Sequence, residues 1–201
     1  MTVLEKTVVV VEALNRLQIP YMLTGSLASN MYGIVRGTQD ADFVVQVDDA
    51  GIRRIAEELA PGFILDPQAS FETITMTMRY VLTSADGEFK VELFLLSDEP
   101  HDCERFRRRR ERMFQGRPAY VPSPEDVIIA KLLWYHRARR PKDYQDIRHV
   151  VSVQATKLDR AYLTSWCDHH GIRDLLEQLL REASPPPFTS SGPQMPAESP
   201  A

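Results

Sequence analysis

Gly25-Ser26, followed fourteen residues later by Asp40-Ala41-Asp42-Phe43-Val44-Val45, is the stretch on which the reading of this chain turns. Side chains two apart on an extended strand point the same way, so Asp40 and Asp42 stand together while Ala41, Phe43 and Val45 face the opposite side. Two ionised carboxylates about 4 Å apart repel by roughly 4 kcal/mol at an effective dielectric near 20. A fold accommodates them if one is protonated, if a basic side chain intervenes, or if a divalent cation sits between them. Mg²⁺ suits the last case, because it takes one or two protein carboxylates and fills its shell with phosphate and water.

Working outward, Phe89 to Leu96 reads as a strand with Glu92 at its centre among apolar residues. An acid there is costly without a partner. If this strand lies beside the one carrying Asp40 and Asp42, three carboxylates converge, enough for two metals roughly 3.5–4 Å apart. Gly25-Ser26 lies between a short strand, Tyr21 to Leu23, and a helix expected over Leu27 to Tyr32 and closed by Gly33. The N–H groups at such a junction receive phosphate oxygens, and glycine allows close approach. The stretch is neither a P-loop nor a dinucleotide fingerprint, and Gly-Ser alone carries little weight.

The rest of the chain frames these residues as one α/β catalytic unit with a mixed sheet flanked by helices and a C-terminal helical segment. Val3 to Leu17 has apolar residues at helical spacing, Ala41 to Val47 reads as a strand, and Asp48 to Gly51 opens a helix through Leu59. Thr73 to Thr83 and Phe89 to Leu96 are expected to pair as a hairpin around Asp86-Gly87. Ser123 caps a helix that runs to about Ala138, Arg139 to Pro141 interrupts it, and helices follow from Lys142 to Val151 and Leu175 to Ala183. The expected division is a catalytic domain over 1–120, a helical segment over 121–183 that completes the site, and a disordered Pro- and Ser-rich tail over 184–201, which holds six of the 14 prolines.

Composition narrows the function. In 201 residues, 24 Lys and Arg against 28 Asp and Glu leave a net charge of −4, which excludes a generally basic nucleic-acid coat. Yet Glu104 to Arg117 is locally +5, leaving −9 for the rest. The run Arg105 to Arg112 is read first as a solvated face, with RNA phosphate binding as the sharper alternative. Cys103 and Cys167 form no pairing motif, which fits a reducing cytoplasm. The N-terminal stretch lacks the uninterrupted apolar region of a secretion signal, and no apolar run is long enough to span a membrane. His169-His170, being adjacent, are expected at the surface, and Trp134 and Tyr135 are expected to pack.

Gly25-Ser26, Arg36-Gly37-Thr38-Gln39-Asp40-Ala41-Asp42, Glu92, Lys131 and Arg140-Pro141-Lys142-Asp143-Tyr144-Gln145-Asp146 together resemble the DNA-polymerase-β-like nucleotidyltransferase superfamily. Within it the likeness is greatest to the AbiE-type (AbiEii) nucleotidyltransferase toxins of bacterial toxin–antitoxin systems, over roughly residues 1 to 150. The resemblance implies transfer of a nucleoside monophosphate from NTP to an acceptor hydroxyl, often the 3′ end of tRNA. By position it implies that Asp40, Asp42 and Glu92 are the catalytic and Mg²⁺-binding acids. Gly25, Ser26 and Arg36 would meet the nucleotide, together with Lys131 and its supporting Asp143 and Asp146. An antitoxin partner is implied as well. Glu92 stands where many members carry Asp, and the larger C-terminal region of many such toxins has no counterpart in these 201 residues. The acceptor therefore stays open between tRNA or other RNA and a small molecule such as an aminoglycoside, and a catalytically silent nucleotide- or protein-binding module remains an alternative.

Overall fold

The computed structural model describes residues 1–183 and shows a mixed sheet backed by helices on one face and joined to a helical cluster on the other. The Pro-rich tail lies outside the described residues. Helix α1 (Val3–Arg16) opens with a capping box between Thr2 and Glu5, and β1 (Tyr21–Thr24) follows Pro20. Helix α2 runs Gly25–Tyr32, two residues longer at its start than the sequence suggests, since Gly25 itself enters the first turn with φ +61°. Strand β2 (Asp40–Val45) leads to α3 (Asp49–Leu59), whose first turn is capped by Asp48.

The strand expected over Thr73 to Thr83 begins only at Thr77, as β5 (Thr77–Ser84); residues 73–76 are a turn that joins it to β4 (Ser70–Glu72), with β3 (Phe63–Leu65) ahead of them. Met76 takes a left-handed backbone conformation, φ 52°, which no continuous strand accommodates. Strand β6 (Lys90–Leu95) completes the sheet, in the order β1-β2-β6-β5-β3, with β4 also on β5. The β2–β6 pairing is parallel, and every other pairing in this sheet is antiparallel.

The arginine-rich segment is structured, contrary to its reading as one solvated face. It forms α4 (Pro100–Arg107) and a hairpin of β7 (Arg110–Phe114) and β8 (Arg117–Val121). The hairpin turns on Gln115 and Gly116, both at positive φ as a two-residue turn of this hand requires. Arg105 is buried against Asp102 at 2.6 Å, and Arg107 is paired with Glu104 at 2.7 Å. Arg108 lies over the Tyr162 ring and Arg109 over Phe106. Of the run, Arg107, Arg110 and Arg112 stay exposed, Arg107 at the end of α4 and the other two on the hairpin.

Helices α5 (Pro124–Ala138, capped by Ser123), α6 (Pro141–Gln154), α7 (Arg160–His169) and α8 (Arg173–Ala183) pack round Ile128, Leu132, Ile147, Val150, Leu163 and Leu176. A second core of α1, α3 and the sheet is built on Val10, Leu14, Phe43, Ile52, Val91 and Leu93. Ala28 and Tyr32 of α2 pack in the helical cluster while Leu27 enters the sheet core, so α2 links the two. No helix among the described residues is long and apolar enough to cross a membrane.

Candidate functional site

Register settles where the acids meet. Asp42 pairs directly with Glu92 across the β2–β6 ladder, so their side chains leave the same face of the sheet, and Asp40 joins them two residues away. On the opposite face, Ala41, Phe43, Val45, Val91 and Leu93 are fully buried in the core. The three carboxylates line a cleft of about 380 Å³ together with Gly25, Ser26, Lys131, Lys142 and Asp143. Arg36 and Asp146 stand behind that lining instead of facing it.

The electrostatics of the cleft are unbalanced at its centre. Burial first, then the neighbouring charges of Asp40 and Glu92, push the Asp42 carboxyl up to about 7, against a smaller opposing pull from Lys131 and Lys142. The Thr38 hydroxyl donates to Asp40. Glu92 faces Arg79 at 3.5 Å, a long pairing that leaves it in reach of the cleft, and Arg79 also approaches Glu72 at 4.0 Å.

Gly25 is dictated twice over. Its φ of +61° is a conformation that L side chains avoid, and a Cβ there would fall 1.8 Å from Asp42 Oδ2. The Asp42 carboxylate thus occupies the space a side chain at 25 would take. Thr24 makes no side-chain cap to α2, so the first N–H groups of that helix keep their donors for an anion. Gly25→Ala is expected to cost about 1–2 kcal/mol from the backbone alone and more from the clash. Its melting temperature should therefore fall while Asp42 is forced aside; an unchanged melt would contradict this geometry.

A chain of ion pairs backs the cleft. Lys131, 7% exposed, reaches Asp143 at 3.1 Å and Asp146 at 2.7 Å. Arg36 grips both oxygens of Asp146 at 2.6 and 2.8 Å and donates to Ser26 Oγ at 2.8 Å, while Arg140 holds Asp143 at 2.7 Å. Burial alone would raise the Asp146 carboxyl, but the hydrogen bonds from Arg36 and Lys131 outweigh it and hold it below the usual range. Hydrogen bonding to Asp146 correspondingly raises Arg36. The network therefore fixes Ser26 and the Lys131 ammonium relative to one another across three elements.

Sequence reasoning missed part of the lining. Trp134, expected only to pack, lines the cleft with the Arg140 guanidinium 4.4 Å over its ring. His170, expected at the surface with His169, lines it too, as do His101 and Arg105. Burial and the nearby His101 hold the His170 imidazole down to about 4, so it is neutral at pH 7. His101 is 2% exposed and lies 3.3 Å from the fully buried Asp126, which Ser123 and Tyr162 also donate to. The signal that pointed to these residues was weak, because α4 and α7 bring them together only through tertiary packing.

A family model described as the nucleotidyl transferase AbiEii toxin of type IV toxin–antitoxin systems matches residues 14–200. No curated protein matches the sequence. Among solved structures, the antibiotic-resistance factor ANT(2'')-Ia superposes with a TM-score of 0.59 at 13% identity, over 90% of this chain and 97% of its own. An antigenic nucleotidyltransferase-like protein from Paracoccidioides brasiliensis gives 0.52 at 23% identity, over 88% and 91%. The lincosamide antibiotic adenylyltransferase LnuA, lincomycin-bound, gives 0.51 at 14% identity, over 74% and 96%. At these identities the likeness establishes the fold.

Proposed function

The chain belongs to the nucleotidyl transferase AbiEii toxin family, and we propose that its cleft moves a nucleoside monophosphate from a Mg²⁺-bound NTP to an acceptor hydroxyl. The observation that carries this reading is the convergence of Asp40, Asp42 and Glu92 beside the uncapped start of α2. Three carboxylates crowded and buried enough to push one of them up to about 7 are the donor set a hard divalent cation satisfies. Asp40, Asp42 and Glu92 would hold it. When bound, Mg²⁺ neutralises charge on the phosphates and lowers the pKa of the attacking hydroxyl.

The chain's own residues then have separable tasks. The N–H groups at Gly25 and Ser26 receive phosphate oxygens of the leaving pyrophosphate, favoured by the positive end of α2. Arg36 keeps Ser26 in place. Lys131, aimed by Asp143 and Asp146, offers a fixed positive charge to the triphosphate. Glu92, with only a long contact to Arg79, accepts the proton of the acceptor hydroxyl as the new phosphoester bond forms. Trp134 offers a flat apolar wall for the base.

For the acceptor we propose an RNA 3′ end, tRNA first, in keeping with a toxin that acts beside an antitoxin. One observation favours a small-molecule acceptor instead: Arg105, Arg108 and Arg109 are engaged inside the protein and Arg107 is paired with Glu104 at the surface, leaving Arg110 and Arg112 for phosphate. Incubating the pure protein with each labelled NTP, Mg²⁺ and either total RNA or an aminoglycoside panel separates the two by where label appears. Label in neither, with no pyrophosphate released, overturns the reading. Reversing Arg110 and Arg112 to Glu is expected to lower the salt slope of RNA binding by about 2 and to weaken it across sequences. Transfer to a small acceptor should be indifferent to the same change.

A further inference from the structure

We propose that Glu99, His101 and His170 form a second divalent-cation site, of zinc type, in the wall of the same cleft. Glu99 is the N-cap of α4, His101 sits in its first turn, and His170 is the C-cap of α7. The ligand atoms of the three all lie within 4.8 Å of one another. His170 Nε2 is buried without a hydrogen-bond partner, a nitrogen lone pair or N–H withdrawn from water with nothing to meet it. A cation supplies what it lacks.

The surroundings fit a metal-bound imidazole. His101 turns Nε2 to Asp126 at 3.3 Å, which leaves Nδ1 as the nitrogen free to bind. Asp126 is itself fully buried and fixed by Tyr162 at 2.7 Å and Ser123 at 2.8 Å. A carboxylate behind a ligating histidine sets its tautomer and ring orientation, and here that carboxylate is already in place. Glu99 now accepts from His169 Nε2 at 2.9 Å, a partly exposed contact that a cation would displace.

Two imidazoles and one carboxylate select zinc-type ions over Mg²⁺ or Ca²⁺, which prefer oxygen alone. Three protein ligands leave a fourth position open to the cleft, for water or an acceptor oxygen. The ion would also join α4, which follows the strand carrying Glu92, to the α7–α8 turn of the helical cluster. The site is separate from the three carboxylates and does not depend on what they do.

The test is calorimetric titration of chelator-stripped, full-length protein with Zn²⁺ in excess Mg²⁺, with the Co²⁺ visible spectrum as a second readout. One Zn²⁺ per chain is expected, undisturbed by Mg²⁺, with Co²⁺ bands of low-coordinate nitrogen and oxygen ligation. His170→Ala, and Glu99→Gln at the half-exposed rim, should each weaken Zn²⁺ at least about 100-fold with unchanged circular dichroism. Asp42→Asn should bind Zn²⁺ as the parent does. No Zn²⁺ uptake, uptake unaffected in Glu99→Gln, or uptake lost in Asp42→Asn or displaced by Mg²⁺ would each overturn the proposal.

Discussion

Asp42→Asn is expected to abolish nucleotide transfer and, in the same molecule, to make the metal-free protein harder to unfold above neutral pH. Both effects have one origin. Asp42 is held between Asp40 and Glu92 in a buried position that pushes its carboxyl up to about 7, whereas in an unfolded chain it ionises near 4. Between those values the folded state keeps a proton that the unfolded state has released. Stability without metal therefore falls as pH rises from about 4 and levels off above about 7. Ionising a carboxyl displaced that far costs the fold about 4 kcal/mol at most, since solvent and local rearrangement relieve part of it.

The amide carries no charge to desolvate, so the variant should lose this slope, and denaturant midpoints measured from pH 4 to 8 report it. Mg²⁺ should restore stability to the parent above pH 7 and do little for the variant. Transfer should drop by about 10³-fold or more, because several kcal/mol of charge stabilisation at the reacting phosphate go with the carboxylate. A variant that retains turnover removes the proposed chemistry. One that keeps the parent's pH slope shows that the acids at 40, 42 and 92 are not crowded.

How far the sequence carries this picture depends on the range of the interaction that decides each element. Caps and periodicity are local, so Asp48, Ser123 and the alternation at Asp40 to Val45 announce their elements within a residue or two. Glu92 stood out because a charge among apolar strand residues needs a partner, and register then set it beside Asp42. Length and charge hid the rest. Strand β3 is three residues, too short for any period to show. The helix and hairpin between Pro100 and Val121 were masked by seven arginines whose partners, Asp102, Phe106 and Tyr162 among them, come partly from elsewhere in the chain. The Gln115-Gly116 turn was the available clue. His101 and His170 meet only when α4 and α7 pack, and the pairing of Arg36 with Asp146 was out of sight because the two lie 110 residues apart.

Lys131→Met separates the two tasks that residue performs. Taking away the ammonium leaves Asp143 and Asp146, 1% and 3% exposed, facing each other without the cation between them. Breaking a buried pair of this kind costs about 3–5 kcal/mol when the survivor has no other partner. Here each carboxylate keeps an arginine, Arg140 on Asp143 and Arg36 on Asp146, so the loss is expected toward the lower end of that range. A merely structural lysine would stop there, lowering the unfolding midpoint with the KM for NTP unchanged in the fraction that remains folded. A lysine that also meets the triphosphate should raise that KM at least about tenfold, the equivalent of about 1.4 kcal/mol of binding. Asp143→Asn supplies the control. It loosens one of the two anchors while sparing the charge, so its KM should move less than that of Lys131→Met at a comparable loss of stability. Equal shifts in the two variants would assign the effect to the network's rigidity and leave the ammonium no direct part in holding the nucleotide.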